Sequence, residues 1–164
     1  VIGSAGGTEK CNLVKSLGAD AVIDYKQHNS YESLLGALKA AAPKGIDVYF
    51  DNVGGDHLEA AIECARPMAR FAECGMISQY NATEPTPGPR NIIQVVGKQL
   101  SIRGFIVSTH ADMQPQFLQD MAGWIQSGQM KFEETVMEGI ESAPEAFLGL
   151  FQGRNKGKML VKLG

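Results

Sequence analysis

Ile46-Asp47-Val48-Tyr49-Phe50-Asp51-Asn52-Val53-Gly54-Gly55 reads as a buried strand that ends in a polar pair and turns sharply into a helix. The β-branched and aromatic residues from Ile46 to Phe50 suit an extended backbone, and an amphipathic segment follows Gly55. In an open parallel sheet, ligands bind beyond the carboxyl ends of the strands, so this turn lies where a ligand would be. Asn52 carries an amide that both donates and accepts, and Gly54-Gly55 let a bulky group approach the backbone. The same residues also suit a plain sharp turn in which Asp51 caps the helix. The motif alone does not choose between the two.

The same grammar recurs along the chain. Val1 to Ala5 predicts a short strand, Gly6-Gly7 a turn, and Thr8 the cap of a helix carrying Leu13, Val14 and Leu17. Ala21 to Asp24 predicts the next strand, with Tyr25 at its exit. Ser30 is placed as the cap of a helix over 31–42, and Pro43-Lys44-Gly45 leads into the Ile46 strand. After Gly55, Leu58, Ala61, Ile62 and Ala65 mark a helix closed by Arg66-Pro67, and Ala69 to Cys74 predicts a fourth strand. A helical segment over 92–98, a strand over 100–107 and a long helix over 113–127 follow, the last with Trp124 on its core side. From Met130 the register changes, with a strand over 134–139, a helix over 144–151 and a terminal strand over 158–163. Strand and helix alternate through short turns, which predicts an α/β fold with a doubly wound parallel sheet. The proline-rich connection from Tyr80 to Asn91 is too long for an ordinary turn and is expected to wall a site.

Composition excludes several classes. With 164 residues, 44% hydrophobic and 20% charged, the chain is large enough for a proper core. A formal net charge of -3 without clustered basic residues argues against nucleic acid or an anionic membrane as partner. No apolar run reaches membrane-spanning length. Cys11, Cys64 and Cys74 match no zinc spacing and read as reduced thiols, which points to the cytoplasm. No metal site is expected. The opening Val1-Ile2-Gly3, strand-like and without a methionine, reads as part of a longer polypeptide.

Four predicted strand ends bring polar groups to one sheet edge: Gly3 to Gly6, Asp24-Tyr25, Asp51 to Gly55, and Cys74 to Ser78. Glycine turns beside helix starts favour bound phosphate, because free backbone N–H groups and the helix dipole point at the anion. A nucleotide cofactor is the leading expectation. NAD-binding folds place an acid at the adenine ribose. Here Ser4 to Gly7 hold that place, with Lys10 one helical turn on, and small residues plus a cation suit the 2′-phosphate of NADP.

Six motifs in order carry a resemblance to a known family: Ala5-Gly6-Gly7-Thr8-Glu9-Lys10, Asp24-Tyr25-Lys26, Gly45 to Gly55, Cys74 to Asn81, Gly104-Phe105-Ile106-Val107 and Gly153 to Lys158. Nearly the whole chain resembles the carboxyl-terminal half of zinc-independent medium-chain dehydrogenase/reductases. The nearest branch is that of curcumin reductase, prostaglandin reductase and 2-alkenal reductase. The resemblance implies an NADP-binding Rossmann-type domain over 1–129 that lacks its first strand and pyrophosphate turn. It also implies a segment over 130–164 that returns to an absent catalytic domain. Lys10 would pair with the 2′-phosphate, Tyr25 would lie against the adenosine, and Asn52 would contact the cofactor near its centre. Cys74, Gly75, Ile77, Ser78 and Tyr80 would pass along the ribose and nicotinamide. Phe105, Ile106 and Val107 would hold the nicotinamide through backbone groups, and Asn155 would reach it from the tail.

The implied activity is NADPH-dependent reduction of the activated C=C bond of α,β-unsaturated ketones or aldehydes. Quinone reduction by the same fold and a non-catalytic nucleotide-binding module are the alternatives. Relatives are commonly homodimers. Gly97 stands where some relatives carry a tyrosine, and no catalytic side chain is assigned. His28, His57 and His110 are expected to be ordinary surface or turn residues.

Overall fold

A computed structural model describes all 164 residues. They divide into two compact units, Val1–Ala111 and Asp112–Gly164.

The first unit opens with β1 (Ile2–Ala5), α1 (Thr8–Ser16) and β2 (Ala21–Asp24), and β1 and β2 pair in parallel. Gly3 lets α1 pack closely, since a Cβ there would stand 2.6 Å from Val14 Cγ1. Thr8 is not the cap: the helix starts from Gly7, at φ 93°, whose N–H donates to Asp24 Oδ1 at 2.8 Å. A glycine at positive φ turns the chain without steric cost, and the Asp24 carboxylate across the turn holds it in place. Ser30 does cap α2 (Tyr31–Ala41), its Oγ accepting from Ser33 N at 3.3 Å.

The stretch from Ile46 forms β3 (Ile46–Asp51) and leads into α3 (Gly55–Cys64). β4 (Ala65–Glu73) follows without a loop, so Arg66-Pro67 belongs to a strand and does not close the helix beyond Ala65. The ladder explains how a proline is tolerated there. Regular pairing of β4 with β3 starts only at Arg70↔Val48, after an irregularity that follows Ile46↔Ala65 and includes Met68 at φ 67°. A short helix α4 (Gln94–Gly97) and β5 (Ser101–Gly104) complete the unit, with β5 parallel to β4.

All pairings are parallel, as the alternation predicts, but the five strands form two sheets, β1–β2 and β3–β4–β5. No ladder joins β1 to β3. Helix α3 joins the two sheets instead. Its Leu58, Ala61 and Ile62 pack on Phe71 and Leu100 of the larger sheet's side. Its Ala60 packs with Ile23 and Leu34 on the other. Ile62 is fully buried, and burial of such a side chain contributes about 1.5–3 kcal/mol.

The second unit holds α5 (Gln114–Gln126), then β6 (Glu134–Glu138), α6 (Ala143–Phe151) and β7 (Lys158–Lys162), with β6 and β7 paired in parallel. Trp124 of α5, expected in a core, is 44% exposed, as is much of that face, including Phe117 and Leu118. Helical spacing identifies an apolar face but not what covers it, and no element of its own unit packs closely on this one.

Candidate functional site

The carboxyl ends of β3, β4 and β5 lie side by side, because Asp51 is in register with Glu73 and Glu73 with Gly104. The turn after β3 is built by Asp51, whose Oδ1 accepts from Val53 N at 2.7 Å and Gly54 N at 3.0 Å. Asp51 therefore braces the sharp turn, while α3 itself starts from Gly54, at φ 71°, without a side-chain cap. Asn52 is exposed beside Asp51, and only its carbonyl is used, accepting from Ile77 N at 3.0 Å.

The turn after β4 is tied to this one. Cys74 N and Gly75 N both donate to Asp51 O, at 2.9 and 3.1 Å. Ser78 donates to Val53 O through its N–H at 3.1 Å and its Oγ at 2.6 Å. Tyr80 folds back so that its hydroxyl accepts from Met76 N at 3.1 Å, and a Cβ on Gly75 would stand 2.7 Å from that oxygen. Cys74, Ile77, Ser78 and Tyr80 are all exposed along this turn.

Beyond β5, Phe105 N donates to Glu73 O at 3.2 Å, and Ile106 O accepts from Thr109 N at 3.0 Å and Thr109 Oγ1 at 2.7 Å. The N–H groups of Ile106, Val107 and Ser108 make no backbone hydrogen bond outside the helix that begins there. Ile106 and Val107 are 70% and 77% exposed. Phe105 rests between Phe50 and His110, with ring centroids at 6.0 and 6.2 Å. Together Cys74, Gly75, Met76, Gly104, Phe105 and Ile106 surround an open depression of about 530 Å³. Nothing lies within 4 Å of where a Cβ on Gly104 would be, so glycine keeps one wall flat.

The ends of β1 and β2 form a second cluster. Tyr25 follows β2, and its hydroxyl would lie 2.6 Å from a Cβ on Gly6, so only glycine lets the ring lie there. Its ring meets His57 edge-on at 5.7 Å, and His57 Nε2 is 3.0 Å from Ser4 Oγ. His57 is thus no ordinary surface residue: it is partly buried, and desolvation holds its imidazole below the usual range. Lys10 is half-buried in the first turn of α1.

Asn155 belongs to the second unit, where its Nδ2 donates to Gly157 O at 2.6 Å. The proline-rich connection is exposed from Asn81 to Gly88 and is anchored at its far end on α3. Arg90 Nε donates to Glu59 Oε1 at 2.8 Å and the guanidinium lies 4.8 Å from the centre of the Tyr31 ring. No three His, Cys, Asp or Glu side chains gather to hold a metal.

Sequence reasoning missed Glu73. It ends β4 beside Asp51, and both of its carboxylate oxygens are buried without a hydrogen bond. Burial first, then the charge of Asp51, raise its pKa to about 7. Two acids ending consecutive predicted strands were the available signal, but only the register makes them neighbours.

A family model described as zinc-binding dehydrogenase matches residues 1–123. The chain is 43% identical over 162 residues to (+)-pulegone reductase of Mentha piperita, covering 98% of this chain and 46% of the relative. It is also 43% identical over 162 residues to a 2-alkenal reductase (NADP(+)-dependent) of Nicotiana tabacum, with the same coverage of each chain. The crystal structure of CurA from Vibrio vulnificus in complex with NADPH superposes with a TM-score of 0.89 at 39% identity, covering 100% of this chain and 49% of that one. The chain thus spans about half the length of the relatives it matches.

Proposed function

Since the chain belongs to the zinc-binding dehydrogenases of the medium-chain dehydrogenase/reductase family, we propose that it supplies the NADPH-binding portion of a reductase for activated C=C bonds. The substrates of that reading are α,β-unsaturated ketones and aldehydes. The observation that carries it is the glycine-walled depression at the ends of β4 and β5, lined by Gly75, Gly104 and Phe105. The names of the relatives support the substrate class, and the solved CurA complex supports the cofactor.

Bound NADPH would supply the hydride. The chain's own groups bind and orient it. Lys10 sits at the adenosine end to pair with the 2′-phosphate, a charge-assisted contact. Tyr25, held by the absence of a side chain at Gly6, offers a face to the adenosine. The exposed Asn52 amide and the turn of Cys74, Gly75, Ile77, Ser78 and Tyr80 lie along the middle of the path. Ile106 N–H and Val107 N–H are available to the carboxamide end, and Phe105 shields one side of the depression from water. Asn155 is assigned to the same end on the family pattern alone. No side chain here is given the role of proton donor.

The test is substrate choice in the native polypeptide that carries these residues. NADPH oxidation should require an enone or enal, with quinones turned over more slowly. A preference for quinones would place the protein with quinone reductases of the same fold.

A further inference from the structure

β3 and β4 end on two acids that share a face. Asp51 is 1% exposed, and its Oδ2 has no hydrogen-bond partner. Glu73, its register neighbour, buries both carboxyl oxygens unpartnered. Neighbouring strands lie about 4.8 Å apart, so the two carboxyls face each other at short range in a poorly solvated place. The neighbour of Glu73 on its other side is Gly104, which brings no side chain. No basic side chain compensates. The titratable groups around the pair are Tyr49 of β3 and His57 of α3, with Asp56 beside His57. Tyr49 is held neutral by burial and then by the charge of Asp51. Desolvation likewise favours a neutral His57.

Two like charges so placed cannot both ionise cheaply. Asp51 Oδ1 is committed as an acceptor to two turn N–H groups, whereas neither carboxyl oxygen of Glu73 receives a donor. The proton therefore belongs on the Glu73 side. The carbonyl of Asp51 itself receives Cys74 N and Gly75 N, the bonds that tie the turn after β3 to the turn after β4. We propose that Asp51 and Glu73 hold one proton between them, and that this proton locks the two turns together, making Glu73 a positioning residue of the site. Loss of the proton sets two charges against each other at the ends of adjacent strands and loosens the junction. The effect on ligand affinity rests on the NADPH reading above; the shared proton does not.

Three readouts on the full chain test this. Infrared spectra taken about one unit either side of pH 7 should show a protonated-carboxyl band at the lower pH that is lost at the higher. Glu73→Gln should abolish that change. Thermal melting gives the second readout. Between its ordinary 4.5 and about 7, Glu73 keeps its proton in the folded chain and releases it in the unfolded one. Its contribution to stability therefore falls as pH rises through that window and is flat above it. His57 acts with the opposite sign, because its folded value is lowered, so stability falls as pH drops below 6.5. Subtracting the Glu73→Gln curve removes the histidine and leaves the Glu73 slope.

The third readout is the NADPH dissociation constant. It should rise about three- to tenfold across the same two units of pH in the wild type and stay level in Glu73→Gln. Wild-type curves that match those of Glu73→Gln, or a carboxyl band unchanged across that range, would overturn the proposal. NADPH binding with equal pH dependence in both proteins would overturn the positioning role. Absence of NADPH binding at every pH would instead sink the cofactor reading, and the shared proton would then be decided by the infrared and melting differences.

Discussion

Lys10 and Tyr25 stand at one end of the proposed site and Phe105 to Val107 at the other, and the discriminating residue is Lys10. It lies half-buried in the first turn of α1, next to a tight turn at Gly7 whose N–H is already spent on Asp24. A lysine–phosphate contact there is worth roughly 1.5–3 kcal/mol. Lys10→Ala should therefore weaken NADPH about ten- to a hundredfold and leave NADH nearly unchanged. Equal weakening of both in parallel titrations would remove the 2′-phosphate from Lys10. Asn52 and Asp51 show how two adjacent polar residues differ: the buried carboxylate holds the turn, and the amide beside it is exposed.

Helix α3 is the element on which the first unit depends, since it contacts both sheets where no ladder connects them. Its Glu59, 7% exposed, also anchors the proline-rich connection through Arg90 Nε and N, at 2.8 and 3.3 Å. Arg90 itself is largely exposed, so water and salt weaken the pair. Glu59→Ala should cost roughly 1 kcal/mol in a denaturant melt and speed proteolysis between Asn81 and Pro89. An unchanged cleavage rate would show that the connection is held elsewhere.

Periodicity and turn residues identified these elements well, because strands 21–24 and 46–51 and the Ser30-capped helix are set by local sequence. The start of β4 was not legible. Its Pro67 is permitted only because pairing with β3 is irregular there, and that is a property of two strands together. The Asp51–Glu73 pair and the His57–Ser4 contact were hidden for the same reason, since each joins residues distant in sequence. Trp124 shows the converse: its spacing was read correctly as helical, but spacing does not say whether a face is covered.

Across the whole molecule, each unit leaves apolar surface and strand edges open. Val48 and Phe50 on β3 are 59% and 58% exposed, and Phe117, Leu118 and Trp124 line one helix of the second unit. The chain spans about half the length of the relatives it matches. None of the helices is long and apolar enough to cross a membrane. What the first unit does hold is a set of polar and glycine turns at the strand ends, and the account stands on their taking up NADPH. Titration calorimetry of the chain with NADPH and, separately, with NADH tests this most directly. The account predicts saturable binding of NADPH, at least about tenfold tighter than NADH. Equal affinity for the two, or no heat with either at millimolar cofactor, would contradict it.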